Sequence, residues 1–182
     1  MSDHRHINEF FRLDCAPDLL RLRLFPNSKE ITESMAAYHA VRWQLLDKCQ
    51  LRYNDSTVGL FSVGDGATPR TAALFALRSC WICHSIDPNL DRKFRDIQRL
   101  CLYRDRVENL RITLEHFSQI VIVLVHSHAK MVDTLRALPH PRRHVVSIPC
   151  CVPHEIDGQP YVGYEDQSIW SPKNSVKVWS NV

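Results

Sequence analysis

The segment Thr57–Pro88 constrains the fold more than any other part of this 182-residue chain. An apolar run, Val58–Val63, leads directly into Gly64-Asp65-Gly66, and a segment with helical spacing, Arg70–Arg78, follows. A second apolar run, Trp81–Ile86, closes the unit. This order of strand, glycine turn, helix and strand predicts a β-α-β unit whose two strands are parallel.

The turn and the acid after the second strand indicate a site for a nucleotide-containing ligand. Gly64 and Gly66 lack a Cβ, so a ligand can approach the backbone closely. The helix that Pro69 opens directs its N-terminus to the same place, which favours a carboxylate or a phosphate. Asp87 lies about 20 residues past the glycines, where an acid can accept hydrogen bonds from a ribose diol. In the alternative interpretation, the glycines form an ordinary β-to-α turn and Asp87 is a loop or capping residue.

The rest of the chain continues the alternation of strands and helices. Further strands are predicted at Cys101–Tyr103, Ile120–Val125, His144–Ile148 and Ser175–Trp179. Helices are predicted from Asn27 or Ser28 to Lys48, over Leu90–Leu100, over a turn at Val107–Leu110, and over Lys130–Leu138. This pattern predicts an α/β fold, Rossmann-like and doubly wound, with a mainly parallel sheet and helices on both faces.

The length predicts one domain. Along the sequence, this domain is divided into three parts. Residues 1–50 form a helical arm and a packing helix, residues 51–154 form the cofactor-binding core, and residues 155–182 form an aromatic tail. The tail either folds over the cleft as a lid or completes the edge of the sheet.

Composition narrows the class of protein. The net charge is +3, which permits a nucleic-acid partner without arguing for one. The polar start and the odd count of seven cysteines predict free thiols in a reducing, cytoplasmic setting. No apolar run approaches the roughly 20 residues of a membrane span, so no membrane partner is expected.

Chemically useful side chains follow each predicted strand. Parallel strands connected by right-handed crossovers end at the same edge of the sheet, and ligands bind outside those carboxyl ends. The residues expected to meet there are Gly64 and Gly66, Asp87, Asp105, His126 and His128, and the segment Cys150–His154.

The segment Ser62–Thr68 resembles the first motif of class I S-adenosylmethionine-dependent methyltransferases. The resemblance covers roughly residues 57–151 and implies S-adenosylmethionine as the cofactor. Two positions depart from the motif, because Ser62 stands where most members carry an acid and Thr68 replaces the third glycine. The cofactor-binding residues that the resemblance implies are Ser62, Gly64, Asp65, Gly66, Asp87 for the ribose and Asp105 for the adenine amine.

A tRNA-methylating branch of that superfamily is similar at two further places. Val125–Ala129 resembles its histidine motif after the fourth strand, and Ile148–Cys151 resembles its Cys-Cys motif after the fifth. The resemblance implies an RNA partner and a substrate-binding role for Cys150, Cys151 and His154. The last of these lies farther from the cysteine pair than the branch would place it.

Histidines and cysteines supply the candidate chemistry. His126 or His128 is the candidate catalytic base, because imidazole titrates near neutral pH; the alternative is that one of them caps its strand. Cysteine is among the residue types most often buried, so the default interpretation of Cys150 and Cys151 is that they pack in the interior. A zinc site would need three or four ligands at one point, and no C-x-x-C pair anchors one here, so no metal is predicted.

The sequence thus favours a methyltransferase that acts on RNA or another nucleotide-containing acceptor. Two alternatives stay open. A dinucleotide-binding oxidoreductase would share the glycine turn and the spacing of Asp87. A non-catalytic, methyltransferase-like module that binds a partner would be consistent with Ser62 in place of an acid.

Overall fold

A seven-stranded sheet forms the centre of the protein. A computed structural model describes residues 3–157 and 160–182. The strands are β1 (Val58–Val63), β2 (Ile82–Ile86), β3 (Leu100–Tyr103), β4 (Gln119–Val125), β5 (Arg143–Ile148), β6 (Val162–Glu165) and β7 (Ser175–Ser180). Their order in the sheet is β3-β2-β1-β4-β5-β7-β6. The first five strands pair in parallel, and β7 runs antiparallel to both β5 and β6.

The helices lie before and between the strands. They are α1 (Arg5–Phe10), α2 (Ala16–Arg21), α3 (Ser28–Ala40), α4 (Arg70–Arg78) and α5 (Met131–Ala137). As predicted, α3 begins after Asn27, whose side chain accepts a hydrogen bond from the Glu30 N–H at 3.1 Å. It continues as a π-helical turn, Val41–Leu45. Within residues 3–157 and 160–182, no helix has the length and apolar character needed to cross a membrane. The predicted Rossmann-like α/β fold is confirmed.

The two faces of the sheet bury separate cores. Successive residues of a strand point to opposite faces, so Leu60 and Phe61 of β1 belong to different cores. The first face, here called the helical face, is covered by α1, α2, α3 and α4. The second, here called the thin face, is covered by α5 and by the segment 107–117.

The prediction of a helix over Leu90–Leu100 is wrong. The structure has only a short 3-10 turn there, Arg92–Phe94. Asp87 and Asp91 accept hydrogen bonds from backbone N–H groups two residues ahead of them, which holds the chain in turns instead of a helix. The apolar residues Phe94 and Ile97 are nevertheless buried in the core of the helical face. The helical turn predicted at Val107–Leu110 is present as a 3-10 turn, Val107–Asn109.

The aromatic tail completes the edge of the sheet, because it supplies β6 and β7. It is also joined to the N-terminal helix through a buried polar chain of contacts. Asp166 lies 2.9 Å from His6 Nε2 and accepts a hydrogen bond from Arg5 at 2.9 Å. His6 contacts His39 of α3 at 3.0 Å between their Nδ1 atoms, and His39 Nε2 lies 2.6 Å from a Glu9 carboxylate oxygen.

Candidate functional site

A cavity of about 630 Å³ opens at the carboxyl edge of the parallel strands. Its walls come from the glycine turn after β1, from the ends of β2 and β4, and from the loop after β3. Six of the residues that the sequence predicts at this edge line the cavity: Gly64, Gly66, Asp87, Asp105, His126 and His128. The order of the strands therefore brings most of the expected residues to one place.

Both glycines of the turn adopt a backbone conformation that favours glycine. Gly64 has a φ of +79° and Gly66 a φ of +83°, in a region that side chains with a Cβ rarely adopt. A Cβ on Gly64 would collide with the side chain of Ser127 and lie 3.0 Å from its Cα. A Cβ on Gly66 would meet only the end of the Arg70 side chain. The neighbouring loop, and not only a ligand, therefore excludes a side chain at Gly64, so that position cannot be used to test binding alone.

Asp87 ties the glycine turn to the end of β2. Its Oδ2 accepts a hydrogen bond from the Gly66 N–H at 2.9 Å, and its Oδ1 accepts one from the Asn89 N–H at 2.8 Å. The residue is 9% exposed and lines the cavity. A carboxylate offers about four lone-pair sites, so Asp87 can still accept hydrogen bonds from a ligand.

Asp65 caps helix α4 from inside the protein. Its oxygens accept hydrogen bonds from the N–H groups of Thr71 and Ala72, each at 3.1 Å, and from the Ser85 hydroxyl at 3.0 Å. Burial raises the pKa of the Asp65 carboxyl, while Arg70 and these donors act in the opposite direction. The sequence predicted an open anion site at the start of α4, but the chain's own carboxylate occupies it.

Ser62 and Asp65 therefore differ from the other predicted cofactor-binding residues. Ser62 lies within β1, between β2 and β4, and is 1% exposed. Neither Ser62 nor Asp65 lines the cavity. The structure places both behind the surface that a ligand would touch.

Asp105 lies on the opposite wall, in the loop after β3. Its Oδ1 accepts a hydrogen bond from the Asn109 side-chain amide at 2.8 Å and one from the Arg106 N–H at 2.7 Å. These two hydrogen bonds, of which the one from Asn109 has the larger effect, hold the pKa of the Asp105 carboxyl below its ordinary value. Asp105 thus presents a charged, exposed carboxylate to the cavity at neutral pH.

His126 has both ring nitrogens occupied by protein acceptors. Its backbone is left-handed, with a φ of +49°, and its Nδ1 lies 3.1 Å from the buried Glu33 carboxylate. Its Nε2 lies 3.0 Å from the Lys173 carbonyl oxygen. The ring contacts the cavity, but neither nitrogen is free to take a proton from a substrate. Glu33, which also binds Lys29 at 2.7 Å, holds the ring in place.

His128 lies beside the cysteine pair that follows β5. The Nδ1 or Nε2 of His128 and the Sγ atoms of Cys150 and Cys151 all lie within 4.8 Å of one another. His128 also lines the cavity, whereas neither cysteine does. His154 is not one of this group; it is buried, with its Nδ1 2.6 Å from the Ser147 hydroxyl, and burial lowers its pKa.

Several charged or polar residues of the cavity were not predicted from the sequence. Arg70 spans its inner wall, bound to Glu30 at 3.0 Å and to the Asp65 carbonyl oxygen at 2.5 Å. The other residues lie in segments that follow the end of a strand. A position after a strand end is the signal that identified Asp87, and the same signal could have identified these residues. They are Asn89, Arg106, Glu108, Lys130 and Asp133.

Comparison with known proteins gives only a distant structural likeness. No protein-family model and no curated protein sequence matches the chain. Two similar crystal structures are a mutant of MtNAS and an MtNAS mutant in complex with S-adenosylmethionine. They are 13% and 14% identical to this chain, with a TM-score of 0.48 for each. The matches cover 98% of this chain and 70% and 71% of those chains.

Proposed function

We propose that this chain binds S-adenosylmethionine in the cavity at the carboxyl edge and is an S-adenosylmethionine-dependent methyltransferase. One observation carries the proposal. Asp65 fills the N-terminus of α4, while the carboxylates of Asp87 and Asp105 line the cavity. This arrangement suits a ligand that has a ribose and an adenine but no phosphate.

The occupied helix terminus argues against a dinucleotide. In dinucleotide-binding folds the pyrophosphate lies on the N-terminus of the helix after the glycine turn, where free N–H groups face it. Here the N–H groups of Thr71 and Ala72 already donate to Asp65. A pyrophosphate would find these donors already used, and the Asp65 carboxylate behind the turn would repel it. S-adenosylmethionine carries a positive sulfonium and no phosphate, so it avoids this repulsion.

The residues present fit the proposed cofactor. Asp87 would accept hydrogen bonds from the ribose diol, and Asp105 would accept one from the adenine amine, as the resemblance implies. Gly66 keeps the backbone open on the cavity side. When bound, S-adenosylmethionine supplies an electrophilic methyl group, and the chain's task is to orient an acceptor in line with it.

The acceptor is the second part of the proposal. RNA or another nucleotide-containing molecule, in a cytoplasmic and reducing setting, would reach the open side of the cavity. A hydroxyl acceptor needs a base near it. Of the two candidate bases, His126 is held by Glu33 and Lys173. His128 is exposed at the cavity wall and is the better placed of the two.

A module that binds the cofactor without turnover is the second candidate function. The observation that favours it is that the ring of His126 is held by Glu33 and Lys173, which leaves His128 as the one predicted imidazole base at the cavity. Such a protein would bind S-adenosylmethionine and transfer no methyl group.

Ligand-induced stabilisation tests the cofactor. Thermal unfolding is measured with S-adenosylmethionine, S-adenosylhomocysteine, NAD and NADP. A ligand at a hundred times its Kd adds about 2.7 kcal/mol to the free energy of unfolding. We expect this with the two adenosyl ligands alone. Stabilisation by NAD or NADP, or by none of the four, would overturn the cofactor proposal.

Two substitutions locate the site. Asp87→Ala removes a charged acceptor from the cavity wall, and we expect S-adenosylhomocysteine to bind roughly 10- to 100-fold more weakly, because such a hydrogen bond contributes about 1.5–3 kcal/mol. Asp96→Ala is the matched control, since Asp96 is exposed and lies outside the cavity. Equal affinity in both variants would remove Asp87 from the site. Transfer of a labelled methyl group to cellular RNA or protein then separates an enzyme from a binding module.

A further inference from the structure

We infer that His128, Cys150 and Cys151 form a zinc site at the rim of the cavity, here called the thiol–imidazole cluster. The inference rests on three ligand atoms that the fold brings to one point from two separate loops. It is independent of the proposed cofactor, because none of the three residues is assigned to cofactor binding and the two cysteines lie outside the cavity. In the zinc-bound protein His128 would be a metal ligand, and it would not act as the base considered above for a hydroxyl acceptor.

The distances within the cluster are close to those of a zinc site. Tetrahedral zinc with sulfur at 2.3 Å and nitrogen at 2.0–2.1 Å separates its ligand atoms by about 3.5–3.8 Å. The Sγ atoms of Cys150 and Cys151 lie 3.5 Å apart, and all three ligand atoms lie within 4.8 Å of one another. Side-chain rotations that move an atom by about 1 Å would complete the geometry.

The sheet holds the two loops together. Strands β4 and β5 are parallel neighbours that end side by side, and the His126 N–H donates to the Ile148 carbonyl oxygen at 2.8 Å just beyond their last pairs. The Cys150 thiol donates to the His126 carbonyl oxygen at 3.5 Å. The backbone that carries the ligands is therefore fixed without a metal.

Two thiolates and an imidazole are the ligand set that zinc prefers. The thiols would release their protons to solvent as the metal binds, so the affinity should rise with pH. His128 and Cys151 are exposed, which gives the ion a path of entry. Three protein ligands leave a fourth position open, as in catalytic zinc sites. Because His128 also lines the cavity, the ion would be held at the rim of the cavity.

Zinc titration of the full chain tests the site. The reduced, metal-free protein is titrated with Zn²⁺ in competition with a chromophoric chelator, and then with Co²⁺, whose near-ultraviolet charge-transfer band reports thiolate ligands. We expect one equivalent of Zn²⁺ per chain and a Co²⁺ band. Both should be lost when Cys150→Ser and Cys151→Ser are combined, and both should be weakened by His128→Ala.

A matched cysteine provides the control. Cys80 is also free and exposed but lies outside the cluster, so Cys80→Ser should keep the full zinc stoichiometry. Circular dichroism of each variant shows whether the fold is kept; if the double variant unfolds, Cys151→Ser alone replaces it, because that thiol is exposed. Absence of binding by the reduced chain, or binding that survives loss of both thiols, would overturn the site. So would a Cys150–Cys151 disulfide that persists under the reducing conditions used.

Discussion

The two faces of the sheet are covered by very different amounts of regular structure. On the helical face, α1 to α4 bury large side chains such as Tyr38, Phe75 and Trp81 completely or almost so. On the thin face, the seven-residue helix α5 is the one α-helix among residues 3–157 and 160–182 that packs on the strands, and most of the remaining cover comes from the segment 107–117. The same strands serve both faces, because their residues alternate between them.

This difference explains where the cavity lies. The helical face supplies the glycine turn and Arg70, whose positions are set by a deep core. The thin face supplies Val107, Glu108 and Asp133, which come from short turns and the start of α5. The deeply packed face fixes the strand ends, and the sparse cover of the other face leaves room beside them for a ligand.

The largest expected effect compares one phenylalanine from each face. Phe75 lies in α4 and is 0% exposed, and Phe117 lies in the thin-face segment and is 4% exposed. We expect Phe75→Ala to lower the free energy of unfolding by about 3–5 kcal/mol, because helices packed on a rigid sheet cannot move in to fill the space that the missing ring leaves. Phe117→Ala should cost less, since its irregular segment can relax. Urea denaturation measures both, and equal costs would mean that the faces are equally rigid.

A second effect should appear in acid, on the thin-face side of β2. His84 stacks on Phe61, and neither of its ring nitrogens has a hydrogen-bond partner within the described residues. Burial, with a smaller contribution from His116, lowers the pKa of His84 from 6.5 to about 4. Between these values the unfolded chain binds the proton and the folded chain does not. Stability is therefore lost as the pH falls from about 6.5 towards about 4.

His84→Leu should remove this acid sensitivity. Wild-type protein should lose about 2 kcal/mol more than the variant between about pH 7 and about pH 4.5. Denaturation curves at the two pH values measure the difference. The exposed His4 provides the control, because His4→Leu should keep the wild-type pH dependence. If wild type and His84→Leu weaken equally in acid, His84 does not titrate as its burial requires.

The smallest expected effect compares helix starts. The side chain of Asn27 caps α3, whereas Lys130 at the start of α5 provides no side-chain cap. Asn27→Ala should cost about 1 kcal/mol of stability, the usual value of a lost cap. Lys130→Ala should change stability by about 0.5 kcal/mol or less. Thermal unfolding without ligand measures both. A change at Lys130 as large as that at Asn27 would show an interaction of Lys130 other than capping.

The sequence predicted the parts of the fold that depend on local signals. The bounds of β1 and α4 were predicted to the residue, and the cap of α3 was predicted from Asn27. The failure at Leu90–Leu100 has a local cause as well. Its apolar spacing fits a helix, but Asp87 and Asp91 divert the backbone into turns. The short strand β6, Val162–Glu165, was missed.

The site was predictable in position but not in orientation. The rule that parallel strands end at one edge brought together Gly66, Asp87, Asp105 and His128. No ordinary N-cap pattern shows that Asp65 turns inward to cap α4, because the N–H groups of Thr71 and Ala72 lie six and seven residues after it and its third partner, Ser85, lies 20 residues away. Nor could the sequence show that Glu33 on α3 holds His126, since that contact depends on how a helix crosses the sheet.

The contact between His6 and Asp166 has a consequence for the order of folding. The two residues are 160 positions apart, so this contact closes a loop that spans most of the chain. Contacts of such long sequence separation carry a large loop-closure entropy and form late. We therefore expect the pairing of α1 with the β6–β7 edge to form late as the chain folds, although α1 can pack on α3 earlier because those two helices are close in sequence.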